Sequence, residues 1–286
     1  MSDLHLEHVP LQYNDLTISA TADYLLLGGD IGRVGNLGGH GTLLRDFLSR
    51  QCARFKLVFW VLGNNEFKNG SQSRTYRQGL HSARRIAEDP GMGRKLILLQ
   101  QKSHELTDAR TGGVITILGC CLWSDTSRSV GTGNQDGQMD NTFAINAARH
   151  KADLAWLRQQ VAEIRSKDEN RRILIMTHHA PGLPRNCSKL EHWRTSPNEI
   201  RDGNLQYCTN IIDAGPPAGS GVPGLGDGDV WMYGHTHHTT QFFGLKNVKV
   251  IANQAGRDNT ASLGTPRSML GVKGVHDFDI TRTLTM

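Results

Sequence analysis

The chain has no apolar run long enough to cross a bilayer as a helix, which excludes an integral helical membrane protein. Aromatic residues are scarce at 6%, and the basic residues behind a net charge of +5 are dispersed. A nucleic-acid groove needs a basic stripe with stacking aromatics, so nucleic acid is not the expected partner. Cysteine is sparse as well. The five cysteines, Cys52, Cys120, Cys121, Cys187 and Cys208, are odd in number and lack zinc-finger or thioredoxin spacing. Reduced thiols in an intracellular, cytoplasmic protein are the expectation. Asn69-Gly70-Ser71 and Asn186-Cys187-Ser188 match the glycosylation triplet, but no signal peptide opens the chain and they carry no weight. With no repeat and no linker, the 286 residues are read as a single domain over 1–286.

What the chain does have is a series of short apolar runs, each stopping at polar residues. Tyr24-Leu25-Leu26-Leu27 ends at Gly28-Gly29-Asp30, and Leu57 to Leu62 ends at Gly63-Asn64-Asn65-Glu66. Ile173 to Thr177 ends at His178-His179-Ala180-Pro181, and Val230 to Tyr233 ends at Gly234-His235-Thr236-His237. Such runs read as buried strands of an α/β sheet, and ligands bind at their C-terminal ends. Leu43, Leu44, Phe47, Leu48 and Cys52 recur at helical spacing over 42–54, and helices are also expected over 74–88 and 143–165. In the last of these, His150 is expected on the surface. Further strands are expected at 96–99, 114–118, 241–245, 248–252 and 276–280, the last three paired antiparallel. The loops 33–41, 126–140 and 182–229 are expected to set specificity, with 182–229 a covering insertion.

Asp3-Leu4-His5 and His235-Thr236-His237 share one spacing. In an extended segment, residues two apart point the same way, so each pair can aim two ligand atoms at one place. Imidazole and carboxylate together suit Mn, Fe, Zn and similar ions. Adding Asp30, Asn64 and His178 gives enough ligands for two metals sharing a carboxylate, a pair able to clamp both oxygens of a phosphoryl transfer.

This ordered set resembles the calcineurin-like metallophosphoesterase superfamily, whose pattern is D-x-H, G-D, G-N-H-E/D, H and G-H-x-H. The resemblance runs from residue 1 to about residue 256, ending at Ala252-Asn253-Gln254-Ala255-Gly256, and is nearest the compact single-domain members. It implies a four-layer α/β/β/α sandwich of two mixed sheets. It further implies one divalent metal on Asp3, His5, Asp30 and His237, and a second on Asp30, Asn64, His178 and His235. In that family a metal-bound hydroxide attacks phosphorus, so a small phosphate monoester or diester is the expected substrate. Asp30, His235 and Asn65 are the residues expected at the reaction centre. His178 is favoured over His179 as the ligand, since neighbours on a strand point opposite ways.

Two features depart from the family pattern. Asn65 stands where the family has histidine, and a carboxamide cannot deliver a proton at neutral pH. Reduced activity is expected, unless His40 or His192 substitutes. Only Met1 and Ser2 precede Asp3, where relatives have an apolar strand. Loss of that first strand is expected to strip ladder partners from its neighbours and rigid support from Asp3 and His5. These departures leave two alternatives: a non-catalytic scaffold, or a biosynthetic enzyme using the metals on a non-phosphate substrate.

Overall fold

The computed structural model describes residues 1–35, 39–69, 72–73, 75–108, 111–126, 141–189, 194–196, 199–200, 208–212, 221–256, 279 and 281–286. Most of the expected strand 276–280, the loop 126–140 apart from Thr126, and much of 182–229 lie outside them, as does His192.

Strand β1 (Tyr24–Gly28), helix α1 (His40–Arg54), β2 (Leu57–Val61), α2 (Tyr76–Ala87) and β3 (Leu96–Leu98) follow one another as expected. Their sheet has the order β1-β2-β3 and is parallel throughout. Thr75 starts α2 with a capping box: its hydroxyl accepts from Gln78 N while the Gln78 side chain accepts from Thr75 N. The second sheet takes β4 (Lys102–Thr107), β5 (Val114–Cys120), β6 (Arg172–Thr177), β7 (Val230–Tyr233), β8 (Thr240–Phe243) and β9 (Lys249–Ala252). Its order is β8-β9-β7-β6-β5-β4. The central four strands are parallel, and the two edges, β8 and β4, run antiparallel. Helix α3 (Asn141–Lys167) is the crossover between β5 and β6. Two short antiparallel pairs, Lys68–Asn69 with Gln72–Ser73 and Arg194–Ser196 with Glu199–Ile200, complete the strands among the described residues.

Period-2 burial sorts the strand residues into layers. Val58 and Trp60 face outward with Leu44, Phe47, Leu48 and Ile86 of α1 and α2. Phe59 and Val61 face inward and meet Ile117, Leu174, Met176 and Met232 of the other sheet. On that sheet's far side, Ile173, Ile175, Trp231 and Tyr233 pack against Leu154, Leu157 and Val161 of α3. The result is the helix, sheet, sheet, helix arrangement.

Three local expectations are corrected. Strand β4 has polar alternation and a mostly exposed face, so it carries no apolar signature in the sequence; β5 recruits it as an edge. His150 is buried, with Nδ1 2.9 Å from Leu122 O and 2.8 Å from Trp123 O, because it braces the turn after β5. The N-terminus is not left without support. Gly28 N donates to Met1 O at 2.8 Å, Ser2 N to Asn253 O at 3.0 Å and Ala255 N to Ser2 O at 3.1 Å. Residues 1–3 thus fill the slot between β1 and the chain leaving β9. None of the five cysteines is in a disulfide, and all are buried. Among the described residues no helix is long and apolar enough to cross a membrane.

Asp229, just before β7, ties the second sheet to α3. Its buried carboxylate accepts from Arg165 Nη2 at 2.5 Å, Ile173 N at 2.9 Å and Gly226 N at 2.9 Å. Asp229→Ala leaves these donors unpaired and should cost about 3 kcal/mol, lowering Tm by roughly 5–10 °C. A thermal melt within about 2 °C of wild type would refute this account.

Candidate metal centre

Five of the motif residues leave extended geometry. Asp3, His5, Asp30, His235 and His237 all have φ between 47° and 74°. Left-handed backbone is uncommon for L-residues, and five instances in one place mark a segment held by its surroundings. The D-x-H and H-x-H pairs therefore do not converge by extended spacing, as the sequence led us to expect. His235 and His237 in fact serve two different groups.

The ends of β1 and β2 approach closely because glycine allows it. Gly29 has φ +87°, and a Cβ there would come within 2.6 Å of His178 Nδ1. A Cβ at Gly63 would collide with the Asp30 carboxylate and come within 2.7 Å of His178 Cε1. These two glycines let Asp30 and His178 sit against the backbone of both strands.

Two ligand-type groups result. In one, Asp3, His5 and His237 each offer an atom within 4.8 Å of the others; in the second, Asp30, His178 and His235 do the same. His5 Nε2 and His237 Nε2 are 2.9 Å apart, and His237 Nε2 is 3.6 Å from Asp3 Oδ1. In the second group His178 Nε2 lies 3.5 Å from Asp30 Oδ1 and 3.2 Å from Asn64 Oδ1. Asp30 Oδ2 meanwhile lies 3.8 Å from His5 Nε2, so each oxygen of this carboxylate faces one group. A third set, His5, Glu7 and His8, shares His5 and opens to solvent at His8.

A supporting shell fixes these side chains. His178 Nδ1 lies 3.0 Å from the Gly28 carbonyl, which can only accept, so this nitrogen carries the proton and Nε2 is left as the ligand atom. His5 Nδ1 is 3.2 Å from Glu7 Oε1, which leaves its Nε2 facing the group in the same way. Glu66 accepts from Asp30 N at 3.0 Å, Ile31 N at 2.9 Å and Gly63 N at 2.8 Å, clamping the two strand ends together. Asn65 donates from its backbone to Asp30 Oδ1 at 2.7 Å and from its carboxamide to Oδ2. Asp3 accepts from Ser2 Oγ at 2.6 Å and from His235 N at 3.1 Å, joining the first motif to the last. His179 turns away from the ligand atoms, with Nδ1 3.4 Å from the Cys121 carbonyl, yet its ring lies 4.1 Å from that of His235. His40 packs near Tyr13, with ring centroids 6.3 Å apart.

The electrostatics follow from burial. Burial opposes ionisation of Asp30, but His178 and then His5 outweigh it and hold the carboxyl well below its usual range. Burial pulls the His178 imidazole down, and Asp30 reverses this and raises it to about 9. His5 is likewise raised: burial lowers it, and Glu7 and Asp30 outweigh that. Burial and the Asp30 charge push Glu66 up to about 8 against its backbone donors. His179 goes the other way, pulled well below the ordinary value by burial, with His235 and His178 adding to it. Buried carboxylates that drive neighbouring imidazoles to take up protons form a site that demands positive charge, and divalent cations fit the same donor set.

The motif positions of the sequence reading all meet here: Asp3, His5, Asp30, Asn64, Asn65, His178, His235 and His237. Sequence reasoning gave no part to Glu7, Glu66 or the His179 ring. Glu7 repeats the two-residue step from Asp3 to His5, and Glu66 stands inside the second strand-end motif, so both signals were present.

Comparison with known proteins places this geometry. A family model described as calcineurin-like phosphoesterase matches residues 1–239. No curated protein matches the chain. Among solved structures, a phosphopantetheinyl hydrolase from Mycobacterium tuberculosis aligns with TM-score 0.53 at 17% identity, over 93% of this chain and 91% of its own. A dimetal phosphatase from Danio rerio aligns with TM-score 0.40 at 14% identity, over 88% of this chain and 77% of its own. The first likeness concerns the fold alone. With the family model spanning most of its length, and with two sheets whose strand ends gather the family's motifs, the chain belongs to the calcineurin-like phosphoesterase family.

Proposed function

We propose that the centre holds two divalent cations and hydrolyses small phosphate esters. The observation that carries this reading is Asp30, a buried carboxylate with one oxygen toward His178 and the other toward His5. Asp3, His5, Asp30 and His237 would hold one cation, and Asp30, Asn64, His178 and His235 the other. Mn, Fe and Zn all suit this N/O set. Cations bound there would supply Lewis acidity toward the phosphoryl oxygens and an activated water nucleophile. The chain's own contribution is to hold the ligand atoms in register. Glu66 and the two glycines fix Asp30, Glu7 and Gly28 O set the imidazole tautomers, and Asp3 locks the last motif to the first.

Hydrolysis forms a bond from water oxygen to phosphorus and breaks the bond to the leaving oxygen, which must then take up a proton. Asn65 can donate a hydrogen bond there but cannot transfer a proton. Esters with good leaving groups should therefore turn over best.

Protein loaded with Mn²⁺ should carry about two ions per chain by elemental analysis. It should hydrolyse bis-p-nitrophenyl phosphate or p-nitrophenyl phosphate, and their ratio would assign diester or monoester preference. Asp30→Ala should lower this turnover at least about 100-fold and reduce the metal content. Full activity in Asp30→Ala would defeat the proposal. Full metal with no turnover on either ester would point instead to chemistry on a non-phosphate substrate.

Asn65→His restores a proton donor beside the leaving group. Turnover of an alkyl phosphate should rise on the order of 10²-fold, with less change for nitrophenyl esters. No gain on the alkyl ester would remove Asn65 as the limit on rate.

Metal uptake should also be linked to protons. His178 holds a proton in the metal-free protein up to about pH 9, and a cation must displace it. Mn²⁺ affinity should therefore rise with pH and flatten above about 9, with at least about one proton released per chain near pH 7, since His5 is raised as well. Calorimetric titration in two buffers of different ionisation enthalpy measures this release; an affinity flat between pH 6 and about 9 contradicts it.

A further inference from the structure

We propose that His179 is a positioning residue for the metal centre: its ring stacks on His235 and sets the plane of that ligand. The inference rests on the reading that Asp30, His178 and His235 hold a cation. His179 follows His178 directly, but its own backbone is tied elsewhere. His179 N donates to Cys121 O at 3.1 Å, and its carbonyl accepts from Thr177 Oγ1 at 2.9 Å. Thr177 Oγ1 in turn accepts from Trp231 Nε1 at 2.9 Å. The peptide is thereby pinned between β5 and β7, and the ring is delivered to the gap beside His235.

That ring has aromatic neighbours. The His235 ring centroid lies 4.1 Å away at an interplanar angle of 37°, and that of Trp123 lies 5.4 Å away at 30°. The His178 ring meets it edge-on at 5.2 Å. Trp123 is itself backed by α3. The Arg149 guanidinium sits 4.9 Å from its ring, and Leu122 N donates to Asp153 Oδ2 at 2.8 Å. His150 Nδ1 meets the carbonyls of Leu122 and Trp123, whose φ values of 68° and 29° are both positive. A strained turn braced by three residues of one helix thus supplies the backing for a single ring stack.

His235 lies just past the end of β7 with φ 74°. A metal ligand must hold its ring within about 10–20° of the productive plane. For His5 and His178 that plane is set by an acceptor on Nδ1, Glu7 and Gly28 O respectively. The His235 ring meets two others, His178 at 5.1 Å and 68° and His179 at 4.1 Å and 37°, and His179 is the nearer and the less steeply inclined.

The test compares wild type, His179→Ala and His179→Phe, with Mn²⁺ alone as the probe. By calorimetry His179→Ala should weaken one of the two binding steps about ten-fold or more and leave the other within about two-fold. His179→Phe keeps a flat ring without nitrogen and should bind within about three-fold of wild type. Equal loss in both variants would overturn the proposal by showing that a nitrogen is needed. Unchanged binding in both would overturn it by showing that the stack has no consequence. Trp123→Leu, which removes the backing without touching a ligand, should weaken the same step by about three-fold; it carries the test if His179→Ala does not fold. The metal-free proteins give an independent readout. Ring-current shifts of the His235 ring protons by NMR should persist in His179→Phe and fall in His179→Ala to what the His178 ring supplies. If wild type binds no Mn²⁺ while those shifts behave as described, the cation reading fails and the stack stands; shifts unchanged in His179→Ala sink the stack itself.

Discussion

A buried negative charge governs this molecule. Asp30 is enclosed at the junction of two strand ends, and an isolated carboxylate there would be costly. It remains ionised because His178 and His5 face its two oxygens and because Asn65 donates to both. Everything around it then takes on a specific requirement. The imidazoles must present Nε2, so their Nδ1 atoms need acceptors, and Glu7 and Gly28 O provide them. The strand ends must come close, so Gly29 and Gly63 are small and Glu66 clamps three backbone N–H groups.

The sheets matter to this centre mainly through where they stop. Parallel strands from two sheets end on one side of the molecule, and after β1 and β7 the chain leaves the ladder with left-handed backbone at Asp30, His235 and His237. Such conformations cost free energy locally and persist only where hydrogen bonds over-determine them. Here that network runs from His5 N to Asp30 O, from Gly234 N to His178 O and from Gly256 N to Asp3 O. First, middle and last segments of the chain are thus fastened within one cluster. A set of candidate ligand side chains spread over more than two hundred residues of sequence gains rigidity that no single loop could provide.

Strands with an apolar run and a polar stop were legible in the sequence, as were the crossover helices, because burial on both faces leaves a strong compositional mark. Strand β4 was not, since Lys102–Thr107 forms an edge whose exposed residues carry no apolar signal. His150 reads as a surface residue on a helix, yet the turn at Leu122 and Trp123 claims it as a hydrogen-bonding partner. The support of Asp3 and His5 was hidden for a related reason: it comes from backbone groups of 28–31 and 253–256, and main-chain hydrogen bonds leave no residue-type signature.

By itself the sequence determined which side chains are available for chemistry, since histidine, aspartate and asparagine at successive strand ends are a matter of spacing and type. It also placed at position 65 an asparagine, whose carboxamide carries no proton to transfer at neutral pH. Only the tertiary structure decided how these residues divide. His235 joins Asp30 and His178, His237 joins Asp3 and His5, and His179 lies against His235 as a ring rather than as a ligand atom. Local spacing says which way neighbouring residues can point along a regular strand. The centre is built where regular geometry has ended, and there direction is set by contacts between segments far apart in the chain.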